Sequence, residues 1–351
     1  MQVEKTPYFL FKPKVLEKNY KEFESLCEKH IGKYVIAYSV KTNGFPGVLD
    51  SLNKLGSNFE VASLDEINLV KGKSGGSLVF NGNCKSEEEL RIAIEEKFLI
   101  NVDSKSEIDR IYNILKGEEF NIGLRVSLVE SKFGFEESRL EKAINYCKRR
   151  NLNVVSLHFH PGTQKNIRNY YDYLIGVERI VSKILKKFSL SYIDIGGGFP
   201  DRLQLKNLRI SLDEYFRMIS FKLTEKISKK FDLKIILEPG RFLVSDAFEL
   251  ISKVCVIKKN FAKNYAVLDV GINVLSKITL SPYKFSKLVD IKVKKRKGYI
   301  LAGPLLFGND VLGRFSGLLE EGDLIKVENV GAYCYNLAWE ISYKKPKVFI
   351  E

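Results

Sequence analysis

One lysine, Lys41, stands where a side chain could do covalent chemistry. It lies in YSVKTN, residues 38–43, after a run of apolar or small residues and just before the turn signal Asn43-Gly44. This pattern predicts a buried strand that delivers the lysine to its end. A lysine held there could form an imine with an aldehyde cofactor. Taken alone, the pattern more often marks a lysine that merely emerges into solvent where a strand stops.

The elements that must position this lysine follow a regular rhythm. Eight apolar segments alternate with helical segments, at residues 34–39, 58–63, 77–82, 99–104, 121–127, 153–160, 191–198 and 233–240. Nearly continuous apolar runs are typical of parallel strands that are covered on both faces. The spacing predicts a (β/α)8 TIM-type barrel, and a doubly wound open sheet is the structural alternative.

Polar residues or glycines stand at the end of nearly every predicted strand. In a barrel of this kind the active site lies at the carboxyl ends of the strands. Each residue also has an ordinary explanation, such as a helix cap, a structural ion pair or a tight turn. Their joint occurrence favours an active site. The strand-end residues are Lys41, Glu60, Asn81, Asp103, Arg125, His160, Gly196 to Gly198 and Glu238.

Three of these features together describe a site for pyridoxal phosphate. The triplet Gly196–Gly198 follows the seventh strand, where barrels commonly hold a phosphate on backbone N–H groups. Gly240, after the eighth strand, could contribute from the neighbouring loop. Glu238 stands where a carboxylate could keep a ring nitrogen protonated. With an aldehyde-binding lysine, these residues suit that cofactor.

The pattern changes after Arg241. Apolar segments there alternate with turns and little helix, which predicts an antiparallel β region that the first strand, residues 6–11, joins. The predicted domains are a barrel over residues 13–245 and a β-barrel or sandwich domain over residues 1–12 and 246–351.

Composition limits the classes of function. The chain has 351 residues, is 45% hydrophobic and carries a net charge of +14. The sequence shows no membrane span and no secretory signal. No nucleic-acid motif accompanies the positive charge, so a nucleic-acid partner is not indicated. The charge would attract an anionic substrate or an acidic partner. The five scattered cysteines fit reduced thiols and a cytoplasmic location, with no metal site expected.

Six motifs resemble those of the fold-type III decarboxylases, the family of diaminopimelate, ornithine and arginine decarboxylases. They are YSVKTN (38–43), SKFG (131–134), HFHPGTQ (158–164), DIGGGF (194–199), EPGR (238–241) and GAYC (331–334). The resemblance implies a pyridoxal phosphate-dependent carboxy-lyase. It also implies a barrel plus β domain of the alanine racemase and ornithine decarboxylase type, in a head-to-tail homodimer with shared active sites.

The resemblance also implies roles for individual residues. Lys41 would bind the cofactor covalently, His160 would stack on its ring, and Glu238 would pair with the ring nitrogen. Glu60 replaces the family's usual aspartate, and Lys132 would pair across the dimer with Asp310. The implied cofactor set is Lys41, Glu60, Arg125, His160, Thr163, Gly196, Gly197, Gly198, Glu238, Gly240, Arg241 and Tyr333.

The chain departs from the family in the loop GPLLFGND, residues 303–310. Leu306 stands at the family's cysteine and Phe307 at its acidic position, while Lys277 replaces the arginine of diaminopimelate enzymes. With Arg241, these form the predicted substrate set. The changes favour decarboxylation of the amino-acid end of a modified or conjugated molecule. The alternatives are a diaminopimelate or basic amino-acid decarboxylase, a racemase on the same cofactor, and an inactive regulatory homologue.

Overall fold

The computed structural model describes residues 5–73, 78–276, 282–289 and 297–351. The chain forms two compact units. One is Asn19–Phe242, and the other is Leu243–Glu351 with the N-terminal residues up to Lys18. Among the described helices, none is both long enough and apolar enough to cross a bilayer. All five cysteines are free thiols.

The described strands, in chain order, are β1 Tyr8–Phe11, β2 Tyr34–Ser39, β3 Asn58–Val61, β4 Val79–Phe80, β5 Leu99–Val102, β6 Phe120–Ser127, β7 Phe135–Glu136, β8 Leu152–His158, β9 Tyr192–Asp194, β10 Lys234–Leu237, β11 Phe248–Asn260, β12 Lys263–Leu268, β13 Lys284–Lys287, β14 Lys297–Ala302, β15 Val311–Gly317, β16 Leu324–Glu328 and β17 Lys347–Ile350.

The described helices are α1 Pro13–His30, α2 Pro46–Lys54, α3 Leu64–Val70, α4 Glu87–Glu95, α5 Lys105–Leu115, α6 Glu137–Lys148, α7 Ile167–Ile184, α8 Arg202–Leu208, α9 Leu212–Ile219, α10 Lys229–Phe231, α11 Arg241–Val244 and α12 Cys334–Leu337. A π-helical stretch, Ser220–Ser228, joins α9 to α10, and short 3-10 turns cover Val40–Thr42 and Ser245–Ala247.

The first unit is a closed barrel of eight parallel strands. The strands run in the order β2, β3, β4, β5, β6, β8, β9 and β10, and β10 pairs back onto β2. This closure confirms the predicted (β/α)8 fold and excludes the open-sheet alternative. The short strand β7 pairs only with β6.

The inside of the barrel is apolar on the side away from the carboxyl ends of its strands. Ala37, Val79 and Ile236 form a buried cluster there, and Val35 and Tyr192 pack against it. Further along the same strands the buried residues become polar, which leaves the carboxyl ends for chemistry.

The helices begin at signals that the sequence carries. Ser86 and Glu89 form a reciprocal capping box at the start of α4. Helix α8 was not predicted, because its seven residues are too few to show a helical period. Its cap is visible in the sequence, since the Asp201 side chain accepts a hydrogen bond from the Gln204 N–H.

The second unit is a mostly antiparallel sheet. Its main path runs β13, β16, β11, β12, β14 and β15, and β1 pairs antiparallel with β11, which confirms that the first strand joins this region. Two pairings depart from the expected antiparallel pattern, because β12 with β14 and β1 with β17 are parallel.

Candidate active site

The Lys41 amine meets a buried carboxylate at the end of β2. Lys41 lies in the 3-10 turn that follows the strand, and its Nζ contacts Glu60 Oε1 at 2.9 Å and Oε2 at 2.6 Å. The parallel register pairs Ser39 with Glu60, and the Ser39 hydroxyl donates to Oε2 at 2.6 Å. Glu60 is fully buried, whereas the Lys41 side chain is 40% exposed. The amine is therefore anchored and still accessible.

Asn81 extends this contact to the other side of the barrel mouth. Its Nδ2 donates to Glu60 Oε1 at 3.0 Å and to Glu238 Oε1 at 2.7 Å. Asn101 donates in turn to Asn81 Oδ1 at 2.9 Å and lies 3.2 Å from Asp194 Oδ2. A continuous hydrogen-bonded network thus runs from Lys41 to the strand β9.

Three neighbouring strands place Arg125, His158 and Asp194 side by side. Arg125 pairs in register with His158 on β8, and His158 pairs with Asp194 on β9. The Arg125 guanidinium lies 3.0 Å from His158 Nε2, and this same nitrogen lies 3.6 Å from Glu238 Oε2. Burial and the Arg125 charge hold the pKa of His158 well below its ordinary value, so its ring is neutral.

Asp194 and Glu238 form a buried acidic pair. Burial, and next the charge of Glu238, raise the pKa of Asp194 well above its ordinary value, which favours the protonated form of this carboxyl. The ligand atoms of His158, Asp194 and Glu238 lie within 4.8 Å of one another, a spacing that could suit a cation. The positive charge of the Arg125 guanidinium, 3.0 Å from His158 Nε2, disfavours a metal ion there.

The glycine loop after β9 approaches the other strand ends too closely for side chains. Gly196 and Gly198 have φ of +62° and +85°, which favours glycine. A Cβ on Gly197 would lie 2.5 Å from the Glu238 backbone oxygen, and one on Gly198 would lie 2.6 Å from Pro161. A Cβ on Gly240 would collide with Thr42. The loop is therefore packed through its backbone alone.

His160 lies two residues beyond His158, after the end of β8. Its Nδ1 accepts a hydrogen bond from the Gly162 N–H at 3.0 Å, so the other ring nitrogen carries the proton. Burial, and next the Arg125 charge, lower the pKa of His160 to about 3. The ring is thus a neutral flat surface near the glycine loop, where a Cβ on Gly196 would come within 2.9 Å of it. Thr163, in the same segment, is exposed.

Other predicted site residues lie in different surroundings. Arg241 is buried at the start of α11, and Lys132 is exposed, with its amine 5.1 Å from the Phe133 ring centroid. In the second unit, Tyr333 has a positive φ of +67° and precedes α12.

The loop at residues 303–310 also belongs to the second unit. Asp310 is buried, and its carboxylate accepts the N–H groups of Ile272 and Leu305, both at 2.8 Å. Leu306 is fully exposed and Phe307 is exposed. Lys277 falls outside the described residues.

The sequence reasoning missed three polar residues of the site, His158, Asp194 and Asn101. A signal was available for the first two. His158 and His160 are two residues apart, so they share one face of a strand. Asp194 breaks an otherwise apolar strand directly before the glycine triplet. Asn101 sits inside the apolar strand β5 and faces the gap left by Gly123, which only the folded barrel reveals.

Comparisons with known proteins agree with this geometry. The family model of the pyridoxal-binding domain of pyridoxal-dependent decarboxylases matches residues 16–245. A diaminopimelate decarboxylase from Helicobacter pylori is 30% identical over 99% of this chain and 90% of its own length. Its counterpart from Vibrio cholerae is 28% identical over 95% of this chain and 84% of its own.

Solved structures give the same result. The diaminopimelate decarboxylase from Methanocaldococcus jannaschii superposes with a TM-score of 0.90 at 27% identity, covering 98% of this chain and 87% of that one. The Helicobacter pylori enzyme complexed with L-lysine gives a TM-score of 0.86 at 26% identity, covering 96% and 89%.

A barrel whose mouth holds a lysine, paired carboxylates and a side-chain-free glycine loop defines a class of enzyme that works with a bound aldehyde cofactor. The chain belongs to the family of pyridoxal-dependent decarboxylases. It is a carboxy-lyase that depends on pyridoxal 5'-phosphate, which confirms the predicted enzyme class and cofactor.

The residues present fit that cofactor. Gly197 and Gly198 have no side chains that could cover their backbone N–H groups, which suits a phosphate. Among the described residues, no hydrogen-bond donor reaches the buried Glu238 Oε2. A buried carboxylate oxygen of this kind suits a protonated ring nitrogen. Lys41 supplies the only kind of side-chain group, a primary amine, that forms an imine with an aldehyde.

Proposed function

We propose that the chain removes the α-carboxylate from diaminopimelate or a closely related diamino acid. The observation that carries this proposal is the similarity to diaminopimelate decarboxylases, which extends over nearly the whole length of both chains. The substrate has a second amine and a second carboxylate, and the net charge of +14 would attract an anionic group.

The barrel residues take the following roles in this proposal. Lys41 binds the cofactor covalently, and Glu60 orients its amine. The N–H groups of Gly197 and Gly198 hold the phosphate, while the Gly196 N–H donates to Asp194 Oδ1 at 2.9 Å and keeps the loop in place. Gly196, Thr163, Gly240, Arg241 and Tyr333 are further members of the phosphate or substrate set. His160 packs its neutral ring against the cofactor ring. Arg125 acts beside it by keeping His158 neutral and in place.

Proton placement is the chemical task of the remaining groups. When bound, pyridoxal phosphate supplies an electron sink for the bond between Cα and the carboxylate. Glu238 would keep a proton on the ring nitrogen of the bound cofactor, and the raised pKa of Asp194 favours a protonated carboxyl beside it. Lys41, which contacts Glu60 through both oxygens, keeps a proton at Nζ that can be exchanged with substrate.

We also propose a homodimer in which Lys132 of one copy pairs with Asp310 of the other. The exposure of Lys132 supports this arrangement, whereas Asp310 is buried in the single chain and its two oxygens accept the N–H groups of Ile272 and Leu305. Sedimentation of the wild-type protein and of Lys132→Ala tests it. A monomeric wild type, or a dimer that Lys132→Ala leaves unchanged, would contradict the pairing.

A second candidate substrate is the conjugated amino acid that the loop sequence favoured. One observation supports it. Leu306 is fully exposed, and Phe307 and Trp339 are exposed with ring centroids 6.1 Å apart, so the second unit presents an apolar surface where the family has a cysteine and an acid. An apolar surface suits a modified side chain better than a free distal amine.

The two candidates are separated by a substrate panel. The loaded protein is incubated with diaminopimelate, lysine, ornithine, arginine and lysine acylated on its distal amine, and the released carbon dioxide and amine are measured. Lys41→Ala, which removes the amine together with the methylene chain that carries it, is the control. We expect fastest turnover of diaminopimelate and none in Lys41→Ala. Preference for the acylated amino acid would favour the second candidate, and turnover by Lys41→Ala at the wild-type rate would exclude the mechanism.

A further inference from the structure

One amide, the side chain of Asn81, touches both carboxylates of the barrel mouth. Its Nδ2 carries two hydrogens and has two acceptors, Glu60 Oε1 at 3.0 Å and Glu238 Oε1 at 2.7 Å. Glu60 is the partner of the Lys41 amine, and Glu238 follows β10, the other strand that pairs with β2. Both donor hydrogens are therefore used, one for each carboxylate.

The surroundings prevent Asn81 from turning away. Its Oδ1 accepts a hydrogen bond from Asn101, which fixes the amide so that Nδ2 faces the carboxylates. The buried Lys85 amine donates to the backbone oxygens of Gly82, at 2.7 Å, and Asn101, at 3.0 Å. Lys85 also pairs with the buried Glu107 at 2.8 Å. Lys85 therefore holds both the backbone next to Asn81 and the backbone of Asn101, the residue that donates to the Asn81 amide.

Two carboxylates around a single donor nitrogen would otherwise repel each other in a medium of low dielectric. The shared N–H donors stabilise both charges and set the distance between them. A change in the charge of Glu60 or of Glu238 alters how strongly the Asn81 amide donates to the other carboxylate, because hydrogen bonds that share a group polarise one another.

We propose that Asn81 is a positioning residue that fixes the spacing of Glu60 and Glu238, and so couples the lysine end of the cofactor to its ring-nitrogen end. The proposal rests on the roles proposed above for Lys41 and Glu238. Asn81 acts only through these two carboxylates.

The test measures cofactor binding by the apoprotein and the absorption spectrum of the loaded protein at a fixed pH. Asn81→Ala removes both donors, and we expect the dissociation constant of pyridoxal phosphate to rise about 10- to 100-fold. Asn81→Asp keeps the size but replaces the donors by a third acceptor, so we expect a larger loss and an altered spectrum. Asn113→Asp, an exposed exchange of the same kind on α5, is the matched control and should match the wild type.

Coupling is measured with a double-mutant cycle. In the wild-type background, the combined effect of Glu60→Gln and Glu238→Gln on the cofactor dissociation constant should differ by about fivefold or more from the product of the two single effects. In the Asn81→Ala background the same two effects should be additive. Asn81→Ser keeps one donor and a small side chain, so it provides a folded second background if Asn81→Ala does not fold.

The outcomes are distinguishable. If the wild-type protein forms no borohydride-stable bond between Lys41 and the cofactor, the proposed function fails and this inference fails with it. If the wild type forms that bond, but Asn81 variants bind the cofactor like the wild type or the cycle stays non-additive without Asn81, only the role of Asn81 is overturned. The role of Asn81 would also be overturned if Asn113→Asp lost as much cofactor affinity as the Asn81 variants, even with the expected coupling in the double-mutant cycle.

Discussion

Replacing Gly197 by alanine tests whether the glycine loop is built by close backbone approach. The added Cβ would lie 2.5 Å from the backbone oxygen of Glu238, where an ordinary contact is 3.4 Å or more. Gly197, unlike Gly196 and Gly198, is not a residue with positive φ, so the substitution adds no backbone strain. Its whole effect comes from one steric contact between the ends of two barrel strands.

The magnitude follows from the size of that overlap. The loop must move away from Glu238 by about 0.9 Å to restore contact at 3.4 Å, and such overpacking costs about 1–3 kcal/mol of unfolding free energy. A loss of about 2 kcal/mol corresponds to a drop in Tm of about 4–8 °C for a unit of this size. The same movement shifts the N–H groups proposed to hold the phosphate, so we expect cofactor affinity to fall by about tenfold or more.

The assay compares thermal unfolding of the apoprotein and titration with pyridoxal phosphate. The control is Gly298→Ala on β14, where a Cβ would have no atom within 4 Å and φ is not positive. We expect this control to unfold at the wild-type temperature or slightly above it, because alanine restricts the unfolded chain. If Gly197→Ala keeps the wild-type Tm and cofactor affinity, the loop does not depend on this close approach and the reasoning is wrong.

Two further predictions concern buried charges. Lys85→Met leaves Glu107 buried without its cation and should lower the unfolding free energy by about 3–5 kcal/mol. The double variant Lys85→Met with Glu107→Leu should lose less, because no unpaired charge stays buried. Urea titrations measure both losses, and equal losses would contradict this reasoning. The pKa of His160 is about 3 in the folded chain, below its ordinary 6.5. As pH falls, His160 is therefore protonated in the unfolded chain before it is protonated in the folded chain. The stability that neutral His160 contributes is therefore complete above about pH 6.5 and is lost as pH falls towards 3, and His160→Gln should flatten that loss in unfolding measured from pH 7 to pH 4.

The barrel could be predicted because its strands carry the signal locally. Each strand is a short apolar run bounded by polar or glycine residues, and this composition follows from burial on both faces. Elements that lack such a run were harder to find. Helix α8 is too short for a period, and the parallel pairing of β12 with β14 depends on contacts between distant segments.

The site was predicted only as far as its residues stand at strand ends. Lys41, Glu60, Arg125 and Glu238 were found by position, and their distances depend on the register between neighbouring strands. His158 and Asp194 are the last residues of β8 and β9, but the predicted strands run on to residues 160 and 198, so both were taken for strand interior. Which polar residues meet is decided by barrel closure, and no property of the local sequence reports it.

Burial links the polar residues of the mouth into one unit. Glu60 is tolerated inside the barrel because Lys41, Ser39 and Asn81 all donate to it. Removing any member takes a hydrogen bond away from a buried partner, which costs more than the bond itself contributes. Substitutions within this network are therefore coupled to one another. Leu306 and Phe307, where the chain departs from the family motif, belong to the other unit and are exposed. Neither side chain makes a hydrogen bond of this network, so if they belong to the substrate set as proposed, substrate preference can vary while the cofactor network stays fixed.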